Sequence, residues 1–226
     1  MHLHIKNLPL NASELYCGIG GFSKACEDFN INIIQAYDQN DAAIITYNQN
    51  FSHKATKFNL EKFDETHLKN IDFLWMSPPC QPYTRKGKQQ ELKDTRTDSF
   101  KTILKAISKN PPLHVGIENV EGFRNSSGRD LLVSTLKDTG YNISEILLCP
   151  SELGIPNRRM RYYLSASLKP LKPIQKSFTC KELQEFINEP SEPFLVPQEK
   201  LEKFKDGFRI IIPEDKGAYT TCFTSS

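Results

Sequence analysis

The sequence predicts an α/β fold built on a mainly parallel sheet, and three observations carry that expectation. Short apolar runs alternate with helical patterns over the first two-thirds of the chain, the links between them are short, and no internal repeat interrupts the series. The strands expected in order are Glu14–Cys17, Ile33–Tyr37, Ala55–Phe58, Phe73–Met76, Val115–Glu118, Ile143–Leu148 and Tyr162–Ala166. Helical patterns fall between them at Gly21–Phe29, Asp41–Asn50, Ser99–Lys109 and Asp130–Thr139. In the third, Phe100, Ile103, Leu104 and Ile107 recur at i, i+3, i+4 and i+7, which makes one apolar helical face. After Ala166 five prolines fall at positions 170, 173, 190, 193 and 197 and break any long element. Thr179-Cys180-Lys181-Glu182 has capping-box spacing for a short helix reaching about Ile187, and residues 207–212 read as one strand. The expected division is a catalytic-type domain over 1–168 and a partial second lobe over 169–226.

Composition bounds the function classes. The 226 residues are 38% hydrophobic and 25% charged, which suits a globular domain and excludes a disordered chain. No apolar run approaches the roughly 18 residues of a membrane helix, and the first residues lack the apolar core of a secretory signal. The expectation is a soluble protein of the cytoplasm or nucleus, monomeric and without a membrane partner. The six cysteines, at 17, 26, 80, 149, 180 and 222, include no C-x-x-C pair, so neither a metal site nor a redox motif is expected and the thiols read as reduced. Net charge is only +2, but residues 80–109 carry 8 basic against 3 acidic residues, a local +5. Such a run is often a solvated face; behind a reactive-looking cysteine it also suits phosphate contact.

Five segments could carry chemistry. Gly18, Gly20 and Gly21 follow the first strand, where glycine lets the backbone turn tightly and approach a ligand. The run is not G-x-G-x-x-G, since Ser23 stands at the last position, which disfavours a dinucleotide. Asp38 follows the second strand, either as an acid for ribose hydroxyls or as a helix cap. Ser77-Pro78-Pro79-Cys80-Gln81 follows the fourth, and its prolines stiffen the loop that presents Cys80 as a nucleophile. Glu118 emerges from an apolar strand, where a carboxylate needs a partner. Arg158, Arg159 and Arg161 precede the last strand and suit a phosphate, a carboxylate or a base edge.

Taken in order, GxGG, the acid after strand two, PPCQ, ENV and G-x-P-x-x-R-x-R resemble the C5-cytosine methyltransferases, densely over 14–166 and thinly beyond. Pro82, Thr84 and Arg85 around the cysteine, Arg96-Thr97-Asp98-Ser99-Phe100, Leu153–Asn157 and Cys222-Phe223-Thr224 resemble the branch that methylates tRNA-aspartate, historically named as a DNA methyltransferase homologue. The resemblance implies a Rossmann-like, S-adenosylmethionine-dependent methyltransferase fold with a partial target-recognition lobe. It implies Cys80 as the nucleophile on cytosine C6, Glu118 at the N3/N4 edge, and Arg159 and Arg161 positioning base and loop. For the cofactor it implies Ile19, Gly20 and Gly21 at the methionine end, Asp38 on the ribose, Leu60 and Glu61 bordering the adenine, Phe22 beside that ring, and Ser77. Arg85, Lys86 and Lys88 would reach phosphates of tRNA, with DNA the alternative substrate. Two departures stand out. Asn11-Ala12-Ser13 replaces a longer apolar run, so strand one is expected to be short or irregular, and family members continue past the position of Ser226.

Overall fold

The computed structural model describes residues 8–79, 98–173, 179–188, 196–204, 207 and 211–221. Its elements in chain order are β1 (Leu10–Leu15), α1 (Gly21–Cys26), β2 (Ile31–Asp38), α2 (Asp41–Asn50), β3 (Thr56–Lys57), β4 (Phe73–Met76), α3 (Asp98–Lys109), β5 (His114–Val120), α4 (Ser127–Asp138), β6 (Asn142–Leu148), β7 (Asn157–Arg158), β8 (Arg161–Ser167), α5 (Gln198–Phe204) and β9 (Thr220–Thr221). Seven strands form one sheet in the order β3-β2-β1-β4-β5-β8-β6. The β1–β2, β1–β4, β2–β3 and β4–β5 pairs are parallel, and β8 runs antiparallel to β5. Strand order turns back between β1 and β4. In an open α/β sheet that reversal opens a crevice at the carboxyl ends of the strands.

Burial explains the elements. β1 lies inside the sheet between β2 and β4 and is buried on both faces from Ala12 to Leu15, which places Ser13 and Glu14 in the interior beside apolar neighbours. The expected irregularity of this strand is present as a register shift against β2 between Ala12 and Ser13, but the strand is longer than expected because Asn11–Ser13 pair fully. α3 buries Phe100, Ile103, Leu104 and Ile107, the face its periodicity predicts, in one core with Leu74, Met76, Ile117 and Tyr162. A smaller cluster of Ala12, Cys17, Cys26, Ile33, Ala36, Tyr47 and Ala55 fills the other side. Gly116 sits inside β5 because a Cβ there would lie 2.6 Å from Trp75 Cε3. On the far flank Arg129 holds Glu145 with two bonds (2.8 and 2.5 Å), and Tyr162 donates to the same carboxylate at 2.8 Å, which ties α4, β6 and β8 together.

The 3-10 turns after β3 are held by side chains. Asp64 accepts from the Thr66 hydroxyl and N–H and from His67 Nδ1, and these bonds, Thr66 first, hold its carboxyl down at about 2. A depressed carboxyl contributes stability above its ordinary value of 3.8 and loses it as pH falls toward 2. The melting temperatures of the parent and Asp64→Ala should therefore differ at pH 5 and converge by about pH 2.

The chain divides into two compact units. The first holds residues 1–147 and 161–173, the second 148–160 and 174–226. This corrects the expected boundary at 168/169: residues 148–160 belong to the second unit, where β7 pairs in parallel with β9, Asn157 opposite Thr220. There the guanidinium of Arg158 stacks on the Tyr219 ring at 3.6 Å. The short helix expected from Thr179 is a 3-10 turn over Leu183–Phe186, capped by Glu182 rather than Thr179. The strand expected over 207–212 falls largely outside the described residues, and Ile211 and Ile212 are not in a strand.

Candidate active site

A cleft of about 420 Å³ opens at the carboxyl ends of β1, β2, β3 and β4, within the range of small-molecule sites. It is lined by Tyr16, Asp38, Gln39, Leu60, Glu61, Ser77, Pro79 and Ser99. Four residues expected to hold a nucleotide-like cofactor, Asp38, Leu60, Glu61 and Ser77, thus share one wall system although they lie up to 39 positions apart in sequence.

Asp38 does more than cap a helix. Its Oδ2 accepts from the Gly18 N–H at 2.8 Å, and its Oδ1 accepts from the N–H groups of Gln39 (2.7 Å) and Asn40 (2.9 Å). The cap of α2 is Asn40, whose side chain accepts from Ala43 N–H. A carboxylate has about four acceptor sites. Three fix the turns after β1 and β2, and the remaining one suits a ribose hydroxyl. Asn59 caps the turn that carries Leu60 and Glu61, and Gln39 Nε2 donates to the same Asn59 oxygen at 3.1 Å. Ser77 receives the Trp75 indole N–H at 3.2 Å. Asp38→Ala should weaken S-adenosylmethionine binding by about 1.5–3 kcal/mol, the worth of a hydrogen bond to a charged group. Asn40→Ala should cost about 1 kcal/mol of stability as a lost cap while leaving affinity unchanged. Calorimetric titration of both variants separates the two roles.

The glycine turn is placed differently. Ile19, Gly20 and Gly21 line a separate hollow of about 390 Å³ with Lys24, Glu27, Thr46, Asn50 and Phe51, not the cleft. Gly20 has φ +93°, and a Cβ on it would lie 2.3 Å from Phe51 Cε2, so glycine is demanded there by the protein's own packing. At Gly18 and Gly21 a Cβ would meet nothing within 4 Å, which leaves open space beside the turn for a ligand. Phe22 is corrected: its ring stacks on Trp75 (4.8 Å, 5° between planes) and meets Phe73 edge-on at 5.3 Å, so its aromatic partners come from the sheet and it lines no part of the cleft.

Among the residues expected to handle the base, Glu118 and Arg161 come together. Arg161 Nε lies 3.1 Å from Glu118 Oε1, both about a fifth to a quarter exposed. The antiparallel register makes this contact, since Val120 stands opposite Arg161 and Glu118 is its diagonal neighbour. Arg159 belongs to the second unit. Cys80, Arg85, Lys86 and Lys88 lie outside the described residues, as does Cys222. The buried thiols of Cys17 and Cys26 are pushed up to about 12 and about 11 by burial and then by the Glu14 charge, so they are protonated and poor nucleophiles at neutral pH. At Cys149 burial raises the thiol, but hydrogen bonds from the Ser151 hydroxyl and from the backbone N–H groups of Ser151 and Arg159 outweigh it and bring the thiol below its ordinary value.

Three contributions escape a reading of the sequence. Tyr16 lines the cleft in a left-handed conformation (φ 55°), uncommon for a non-glycine residue, with its hydroxyl 2.9 Å from Ser99 Oγ. Ser99 lines the cleft from the start of α3. Asn119 is buried, its Nδ2 donates to the Pro78 carbonyl at 3.2 Å, and it thereby ties the end of β5 to the loop leading into Cys80.

Comparison with known proteins places this arrangement. The profile of the C-5 cytosine-specific DNA methylase family matches residues 10–226. A bovine tRNA (cytosine(38)-C(5))-methyltransferase is 40% identical over 194 residues, covering 81% of this chain and 49% of its own length. The fission yeast enzyme of the same name is 32% identical over 95% of this chain and 71% of its own. Among solved structures, an Entamoeba histolytica methyltransferase matches with a TM-score of 0.81 at 30% identity, covering 96% of this chain and 71% of that one. The chain spans about half the length of the mammalian relatives it matches. Members of the family take their methyl group from S-adenosylmethionine, and the cleft that holds Asp38, Leu60 and Glu61 has the volume of a small-molecule site. With that profile matched from residue 10 to residue 226, the chain belongs to the C-5 cytosine-specific DNA methylase family.

Proposed function

We propose that this chain carries the catalytic face of an RNA cytosine-5 methyltransferase that acts on an anticodon-loop cytosine of tRNA-aspartate. The observation that carries the reading is the switch-point cleft, where Asp38, Glu61 and Ser77 line one cavity with Pro79, the residue bonded directly to Cys80. Similarity to tRNA (cytosine(38)-C(5))-methyltransferases, several near 40% identity, supports RNA as the substrate.

S-adenosylmethionine supplies an electrophilic methyl group when bound in the cleft. Cys80, as thiolate, attacks C6 of a cytosine turned out of its stack and forms a covalent adduct. Glu118, oriented by Arg161, holds the N3/N4 edge and stabilises the protonated ring. C5 becomes electron-rich and would take the methyl group as its bond to the sulfonium sulfur breaks, leaving S-adenosylhomocysteine. A base removes the C5 proton, the C5–C6 double bond re-forms and Cys80 departs. Asn119 donates to the Pro78 carbonyl, two residues before the nucleophile.

A second reading, DNA as the substrate, draws on a Dictyostelium discoideum DNA (cytosine-5)-methyltransferase, 36% identical over 70% of this chain. Incubation with methyl-labelled S-adenosylmethionine and either total tRNA or genomic DNA tests both. Label in tRNA supports the proposal, label confined to DNA supports the second reading, and no transfer to either overturns both.

The basic run after Cys80 gives an independent prediction. Neutralising Arg85, Lys86 and Lys88 should weaken tRNA binding and flatten its dependence on log salt by roughly 0.7 for each lost phosphate contact, the single-strand value. Filter binding at several salt concentrations would show an unchanged slope if these residues are only a solvated face.

A further inference from the structure

Glu14 is 2% exposed inside the sheet and has no role in the chemistry above. Its Oε2 accepts from the Ser23 hydroxyl at 2.6 Å, Ser23 Oγ lies 2.5 Å from the Tyr47 hydroxyl, and that hydroxyl lies 3.0 Å from His53 Nε2. Cross-contacts of 3.3 Å, Tyr47 to Glu14 and His53 to Ser23, close the group. The backbone at Phe22 and Ser23, at the start of α1, also favours the ionised form of Glu14. With a proton on His53 Nε2, each hydroxyl gives one bond and receives one, in the direction His53 to Tyr47 to Ser23 to Glu14, and the series ends on a carboxylate. The same four residues bracket the glycine turn. Tyr47 Cδ2 lies 3.0 Å from where a Cβ on Gly20 would stand, so the turn rests on the ring whose hydroxyl belongs to the series.

We propose that Glu14, Ser23, Tyr47 and His53 form one proton-sharing chain that positions the glycine turn for the cofactor, so that cofactor affinity falls when the chain takes up a proton. The inference rests on the reading of that turn as part of the cofactor site. An ionised carboxylate attracts the nearby backbone N–H groups of Phe22 and Ser23 more strongly than a neutral one does. Once Glu14 is protonated, the acid must donate where it accepted, and the order of the hydroxyls reverses. Burial raises the Glu14 carboxyl, against hydrogen bonds from Ser23 and Tyr47, and burial with the Lys54 charge lowers His53, so the two ends are brought toward each other. The other ionisable groups around them are Cys17 and Cys26, which feel the Glu14 charge, and Glu27 and Lys54, which act on His53.

Two readouts on the full chain decide the matter. The first is hydrogen exchange at the Phe22 and Ser23 amides without ligand, from pH 5 to 8. The second is calorimetric binding of S-adenosylhomocysteine over the same range. In the parent, protection and affinity should both fall several-fold toward pH 5, with a common midpoint. Tyr47→Phe keeps the ring and removes one hydrogen bond to the carboxylate, so the midpoint should move up by about half a pH unit or more. Glu14→Gln should flatten both profiles, with weaker protection throughout. An unchanged midpoint in Tyr47→Phe, or a pH dependence that survives in Glu14→Gln, overturns the chain. If S-adenosylhomocysteine binds at no pH, the cofactor reading fails instead, and amide exchange still judges the chain on its own.

Discussion

Cys80→Ala is expected to lower methyl transfer by about a thousandfold or more, since removing the nucleophile leaves the attack on C6 without any substitute. Neither buried thiol beside the glycine turn can take over, because Cys17 and Cys26 hold their protons to about 12 and about 11. S-adenosylhomocysteine affinity and melting temperature should stay near parental values. RNA containing 5-fluorocytosine gives the decisive measurement: fluorine cannot leave C5 as a proton does, so the parent should remain covalently attached and migrate as a protein–RNA band in a denaturing gel. The variant should give none. Full turnover in Cys80→Ala would return the Pro-Pro-Cys loop to a structural role.

Gly20→Ala is expected to be the most damaging single change to the described fold at the cofactor face. Alanine at φ +93° costs about 1–3 kcal/mol of backbone strain, and its Cβ would overlap the Phe51 ring, which must move. Phe51 packs against Tyr47 and His53 (ring centroids 4.8 and 5.2 Å), so its displacement disturbs the buried group around Glu14 as well. A total near 2–4 kcal/mol corresponds to a melting temperature lower by about 5–15 °C for a domain of this size. Gly21→Ala makes the comparison, since a Cβ there meets open space and should be tolerated in the absence of ligand. Equal melting temperatures for the two variants would show that the turn is not pinned by Phe51.

The sequence made the sheet readable because its strands are short apolar runs ended by turn residues: Phe73–Met76 and Asp41–Asn50 fall at the expected positions, and other edges moved by a few residues. Asp38 was legible as a candidate because it follows a strand in a fold whose ligands gather at strand ends, whereas Leu60, Glu61 and Ser77 entered only through the family resemblance and share its cleft. What stayed hidden depends on register and on packing between distant segments. Nothing in Glu118 or Arg161 alone says that an antiparallel pairing sets them diagonally across two strands. Phe22 looked available for a ligand's ring because its partners, Phe73 and Trp75, lie some fifty positions away. Tyr16 gave no warning of its left-handed backbone, which only glycine normally advertises. Glu14 read as part of an ordinary strand, yet it accepts from Ser23 and Tyr47 in a buried polar group beside the glycine turn.

The place of β8 has a consequence for synthesis. β6 is complete at Leu148, but its neighbour in the sheet is β8, which begins at Arg161 and ends at Ser167. While the ribosome adds those 19 residues, about one to four seconds at ordinary rates, β5 ends the growing sheet and β6 has no bonded neighbour. β8 must then slot between two strands already made, in the direction opposite to β5. An unpaired edge of that kind invites pairing with another nascent chain. The Glu145 carboxylate, already held by Arg129 of α4 and waiting for the Tyr162 hydroxyl, gives the incoming strand a docking point that a foreign strand lacks.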